Sequence, residues 1–151
     1  MRILFLFLFL PTLSFSQKLK LVNATAQRWS GGIAGSSGTN YSVEFSVSPK
    51  DSVHLDSVYL NGKSYGLVAS NQAIYDAFWF KRPEKKKTFI SLIIKESFMQ
   101  CAYPVADPMQ QVKAPMPAVA EGSALLIYHV NGKKKQLLIK SFTALPPVNY
   151  P

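Results

Sequence analysis

From residue 17 onward the chain alternates apolar and polar positions with a period near two, and turn residues break the pattern at short intervals. The cleanest stretch is Tyr41-Ser-Val-Glu-Phe-Ser-Val47. Tyr41, Val43, Phe45 and Val47 fall on one face, and Ser42, Glu44 and Ser46 on the other, so the strand has a dry side and a wet side. In Val53–Leu60, Val53 and Leu55 are out of phase with Val58 and Leu60. A one-residue slip flips every later side chain, so a bulge at Asp56-Ser57 is the economical repair. Asn61-Gly62 then predicts a two-residue type I′ turn, because both residues tolerate positive φ. That turn sets Leu60 opposite Lys63 and Val58 opposite Tyr65, and puts Val58, Leu60, Tyr65 and Leu67 on one face.

Residues 88–94 are apolar on both faces, as in a central strand covered on each side. Residues 125–130 and 136–142 flank a second Asn-Gly pair, Asn131-Gly132, followed by Lys133, Lys134 and Lys135. A loop of two, three or four residues fits there, and the register stays open. Residues 18–29 and 74–80 complete about eight strands, although residues 71–77 also suit a helical turn. Nothing suggests a second domain, a repeat or a long helix. The pattern predicts a single all-β domain, an immunoglobulin-like β-sandwich, with a partly open β-barrel as the alternative. Two segments break the rhythm: the glycine-rich stretch 31–38, and residues 101–122 with Pro104, Pro108, Pro115 and Pro117. Structureless connections this long are uncommon in compact domains, and are usually functional or disordered.

The first sixteen residues follow a different logic. Met1-Arg2 supplies a positive start, residues 3–10 are unbroken apolar, Pro11 ends the run, and Ser14 and Ser16 place small residues at −3 and −1 of a cut before Gln17. This is the order of a cleavable signal peptide. Eight apolar residues make a helix of about 12 Å, whereas a bilayer core needs roughly 20 residues. No cysteine follows the run, so a lipid anchor is not indicated, and no transmembrane segment is expected in the mature chain. The reading is therefore a signal peptide over residues 1–16 and one domain over 17–151, exported to the periplasm or the extracellular space. Loss of Arg2 with the leader takes the formal charge from +9 to +8. Cys101 stands alone, so no internal disulfide is available and packing must hold the domain.

Candidate chemistry is sparse. The glycine-rich stretch has neither the Gly-Lys-Ser/Thr ending of a P-loop nor the spacing of a dinucleotide fingerprint, so a hairpin or sheet-crossing loop is expected. His54 and His129 are too few for a zinc site without Cys101 or a carboxylate, and no close pair has metal-ligand spacing. No metal and no cofactor are expected, and no catalytic residue is singled out. A Cys101–histidine dyad would make a small hydrolase, the alternative of a different class. The carboxylates Glu44, Asp51, Asp56, Asp76, Glu84, Glu96, Asp107 and Glu121 are scattered, and most sit where solvated turns are expected.

The basic runs say more. Lys81-Arg82 and Lys85-Lys86-Lys87 bracket Pro83-Glu84, directly after Tyr75, Phe78, Trp79 and Phe80, and Lys133, Lys134 and Lys135 form a further cluster. Basic groups beside aromatics can hold nucleic acid, but an exported protein seldom meets it. The partners expected are an envelope protein or an anionic glycan. The competing explanation is that lysines at hairpin tips and edges deter edge-to-edge aggregation.

The string Trp29-Ser-Gly31-Gly32-Ile-Ala-Gly35-Ser-Ser-Gly38-Thr-Asn-Tyr41 precedes the segment Asp56-Ser-Val58-Tyr-Leu60-Asn-Gly62. Gly122-Ser-Ala-Leu125-Leu-Ile-Tyr128-His-Val130-Asn-Gly132 and the closing Leu145-Pro-Pro-Val-Asn-Tyr150-Pro151 follow. With these segments the chain resembles a group of short exported proteins of Bacteroidota that carry no established function. The resemblance implies a cell-envelope or extracellular setting and no activity or site residue. The function expected is that of a binding or accessory envelope module, not an enzyme. A structural subunit that pairs through an exposed strand edge is a further alternative.

Overall fold

A computed structural model describes residues 18–32, 36–99 and 119–151. Ten strands run through it: β1 (Leu19–Gly31), β2 (Ser36–Val47), β3 (Val53–Leu60), β4 (Lys63–Gly66), β5 (Val68–Ala69), β6 (Ala77–Pro83), β7 (Thr88–Met99), β8 (Ala124–Val130), β9 (Lys133–Ile139) and β10 (Thr143–Tyr150). No helix occurs among the described residues. One sheet has the order β10-β1-β2-β7-β6-β5 and the other β4-β3-β8-β9. The two sheets are not closed into a barrel, which overturns the barrel alternative: β10, β5, β4 and β9 are all edges.

The core follows from alternation. Val43 and Phe45 on β2, with Ile90, Leu92 and Ile94 on β7, are fully buried. They share one apolar cluster with Val53, Leu55, Val58 and Leu60 on β3 and with Leu126, Tyr128 and Val130 on β8. Burying each such side chain contributes roughly 1.5–3 kcal/mol, and that face-to-face burial is what joins the sheets. The phase change in β3 is absorbed as anticipated, since its pairing with β8 slips between Leu55 and Ser57. All four apolar residues of β3 therefore point inward. Asn61 and Gly62 take φ of 49° and 71°, and Leu60 pairs with Lys63.

Three features differ from expectation, and one register left open is settled. The outer face of β7 is not covered by a second layer, because Phe89, Ser91 and Ile93 are half-buried and only its inner side meets the partner sheet. Residues 71–76 form bends and turns instead of a helical turn, and β6 starts at Ala77. The Asn131-Gly132 loop is two residues long, with φ of 50° and 77° and Val130 paired to Lys133, so the lysine triplet opens β9. Finally, β5 and β10 are strands that alternation does not reveal. β10 lies parallel to β1 and contains Pro146-Pro147, which oppose the single Arg28 where the register slips. Two residues without an N–H donor are tolerated because the strand is an edge and bulges there.

The register also sorts the connections between two ends. The start of β1, the β2–β3 loop, the β6–β7 turn and the Asn131-Gly132 turn lie at one end, here termed the lysine end. The β1–β2 connection, the Asn61-Gly62 turn, Tyr150 and the facing ends of β7 and β8 lie at the other, the glutamate end.

Candidate binding surfaces

At the lysine end the predicted basic residues divide. Lys81 and Arg82 are successive strand residues and point to opposite faces of the sheet. The Arg82 Nη2 atom donates to Glu44 Oε1 at 2.9 Å, its Nε lies 3.7 Å from Glu84 Oε1, and its guanidinium stacks 5.4 Å from the Phe89 ring centre. Arg82 thus anchors the outer face of its sheet. Lys81 Nζ sits 5.6 Å from the Trp79 ring centre. Lys85, Lys86 and Lys87 form the β6–β7 turn, closed by Glu84 N–H donating to the Lys87 carbonyl at 2.8 Å. All three are exposed, and none of their ammonium groups has a partner among the described residues. With Pro83, Glu84 and Phe89 they line an open recess of about 710 Å³.

From the other sheet, Lys133 is exposed at the same end, Lys134 lies on the outer face beside His129, and Lys135 is half-buried. Lys18 and Asn131 donate to Asp51 Oδ1 at 3.0 and 2.8 Å. The hydrogen bond from Asn131, and then that from Lys18, hold the Asp51 carboxyl below its ordinary 3.8. Lys50, in the β2–β3 loop and not singled out from sequence, is exposed and unpaired. Among the described residues, Lys50, Lys85, Lys86, Lys87 and Lys133 are the free ammonium groups in the loops and turn mouths of this end, with Lys20 on β1 and Lys134 on β9 exposed and unpartnered on the strands beside them.

The glutamate end holds a polar cluster that sequence reasoning missed. Glu96 is 6% exposed. Tyr65 donates to its Oε1 at 3.1 Å, and Lys63 Nζ lies 3.3 Å from the same oxygen. Asn61 Nδ2 donates to Oε2 at 3.3 Å and to the Tyr41 hydroxyl at 2.8 Å, and the Tyr41 hydroxyl itself lies 3.5 Å from Oε2. The Tyr41 ring meets Phe142 edge-on at 5.1 Å. Burial, reinforced by the Glu96 charge, pushes the Tyr65 phenol well above its ordinary 10.0, and burial raises Tyr41 too. Both carboxylate oxygens have donors, so Glu96 is no free base. It ties the β3–β4 hairpin of one sheet to β2 and β7 of the other. The signal was present: Ile90, Leu92, Ile94 and Glu96 continue one alternation, so the carboxylate stands in phase with the core.

On the outer face at the same end, Trp29, Gly31, Gly32, Asn40, Asp76, Lys95, Ser97 and Tyr150 line a recess of about 420 Å³. A Cβ on Gly38 would lie 2.1 Å from the Glu96 carbonyl oxygen and 2.7 Å from the Trp29 indole nitrogen. Gly31 has φ of 114°, and a Cβ there would lie 1.8 Å from the Tyr150 carbonyl oxygen. Gly31 and Gly38, two of the four glycines in the stretch singled out from sequence, are thus required by close approach. The stretch makes a hairpin within one sheet, and its residues 33–35 lie outside the described residues.

The remaining candidates separate in space. His54 and His129 face each other across β3 and β8, a juxtaposition that residue spacing cannot reveal. Among the described residues no three of His, Cys, Asp and Glu group where they could hold a metal ion. The His54 ring meets Trp79 edge-on at 5.5 Å. The Trp79 indole nitrogen is buried with no hydrogen-bond partner among the described residues. Residues 1–16, whose pattern is that expected of a signal peptide, Cys101 and the proline-containing segment up to residue 118 lie outside the described residues. Comparison with protein-family models, with curated proteins and with solved structures finds no match to this chain.

Proposed function

We propose that this chain is an exported binding module of the cell envelope, built on an immunoglobulin-like sandwich, whose lysine end contacts an anionic glycan. The observation that carries the reading is that, among the described residues, Lys50, Lys85, Lys86, Lys87 and Lys133 expose their ammonium groups at one end without a carboxylate partner. A folded protein gains little from leaving such charges unpaired at one end, whereas an anionic polymer gains from meeting several of them. The strand order supports the sandwich type. β1-β2-β7-β6 and β4-β3-β8-β9 follow the A-B-E-D and C′-C-F-G orders of immunoglobulin-like domains, with β5 and β10 as additions. Export rests on the leader pattern of residues 1–16. The edge-pairing alternative fares worse, because lysines open the β9 edge and prolines interrupt the β10 edge.

Retention on a heparin-type resin tests the contact. Replacing Lys85, Lys86 and Lys87 with Gln should shift elution to lower salt and weaken binding on the order of 100-fold, at roughly 1 kcal/mol for each ammonium group near an anionic surface. Arg82→Gln, whose guanidinium is already engaged by Glu44, should shift elution far less. Unchanged retention of the triple variant rejects the surface.

A further inference from the structure

The recess around Trp29 lies at the opposite end from the free lysines, and its chemistry is different. We propose that it is a second binding site, specific for neutral pyranose oligosaccharides. A pyranose presents an apolar C–H face and a rim of hydroxyls. It is recognised by an aromatic surface together with planar side chains that bond two neighbouring hydroxyls. Both halves are present. The Trp29 and Tyr150 rings stand 6.4 Å apart at 65°, and Tyr150 is half exposed. Around them the Asn40 carboxamide, the Asp76 carboxylate and the Ser97 hydroxyl have no side-chain partner within the described residues. Lys95 is occupied: its ammonium donates to the Ala73 carbonyl and lies 5.6 Å from the Phe78 ring centre.

Two features exclude other occupants. Asp76 and Lys95 bring one negative and one positive charge to the recess, a balance that gives an acidic ligand no net attraction. An added peptide strand would need an open backbone edge, but β1 and β2 are paired on both sides, and β10, the edge strand that brings Tyr150, is interrupted by Pro146-Pro147. The volume of about 420 Å³ falls within the roughly 300–1,000 Å³ of small-molecule sites. Gly31 and Gly38 hold the site together, since a side chain at either would displace Tyr150 or Trp29.

Isothermal titration of the folded protein with cellotetraose, mannotetraose and galactotetraose tests this. At least one should bind with a sub-millimolar Kd. Asp76→Ala and Asn40→Ala should each weaken it about tenfold, as loss of one well-made polar contact does, and Trp29→Ala should abolish it with thermal melting confirming the fold. If Trp29→Ala does not fold, the two polar variants decide. The triple lysine variant should bind these sugars unchanged, so failure here is distinct from failure of the anionic contact. Absence of binding to all three sugars at millimolar concentration overturns the site, as does binding that neither polar variant weakens.

Discussion

The two Asn-Gly turns share a dipeptide, a loop length and nearly the same backbone, with φ of 49° and 71° in one and 50° and 77° in the other. Their asparagines nevertheless do different work. Asn61 reaches across to the other sheet, donating to Tyr41 and to the buried carboxylate of Glu96. Asn131 stays at the surface, where it donates to Asp51, accepts from Ser52 N–H at 2.8 Å and donates its own N–H to the Ser52 carbonyl. One turn locks the sheets together through a desolvated charge, and the other pins a loop beside free lysines. Local sequence chooses the turn; its neighbours choose what the turn does.

The sharpest way to break the contrast is to remove the charge that makes one turn different. Glu96→Ala strands the half-buried Tyr65 hydroxyl and removes the acceptor shared by Asn61 and Lys63, and should cost about 3 kcal/mol, read as a lowered urea midpoint at unchanged m. Glu96→Gln keeps an acceptor and should cost less. Next comes Asn61→Gly, which retains positive φ and deletes only the side-chain bonds, expected at about 2 kcal/mol because one acceptor is charged and buried. The matching Asn131→Gly should cost about 1 kcal/mol, since its bonds are solvent-exposed. Equal losses from the two turns would erase the distinction. At the bottom of the scale, the triple lysine variant should change stability by no more than about 0.5 kcal/mol while it weakens anionic binding.

The two turns should also separate by pH. Tyr65, and Tyr41 with it, has a folded pKa raised above 10.0 by burial and the Glu96 charge. Above that value the unfolded chain loses its phenolic protons first, so their contribution is complete below pH 10.0 and is lost as pH rises beyond it. Asp51 behaves in the opposite sense. Its folded pKa lies below 3.8, so its contribution is complete above that value and is lost as pH falls through the lowered one. Urea melts should show Tyr65→Phe flattening the alkaline limb and Asn131→Gly flattening the acid limb. A change in the wrong limb would contradict the assignment.

How much could be read in advance varies from strand to strand. The inward stripe of β2, the bulge at Asp56 and the Asn61-Gly62 register were legible because each depends on residues one or two positions apart. β10 was not, because its prolines contradict strand propensity and are admitted only by an edge position beside β1. The basic residues were legible as candidates, yet the pleat and the Glu44 partner removed Arg82 from the free set, while Lys50 joined it through a loop at the same end. For Glu96 the alternation marked the position, but its four partners come from 31 to 55 residues away.

The order of residues along the chain therefore sufficed for the all-β class, the phase of most strands and the Asn61-Gly62 turn, since all of these arise from steric and hydrophobic preferences acting over a few bonds. Folding in three dimensions decided which charges were neutralised, which were left bare, and which aromatic rings came to stand beside unpaired polar groups. Those outcomes depend on distances across sheets, and a linear pattern carries no distances.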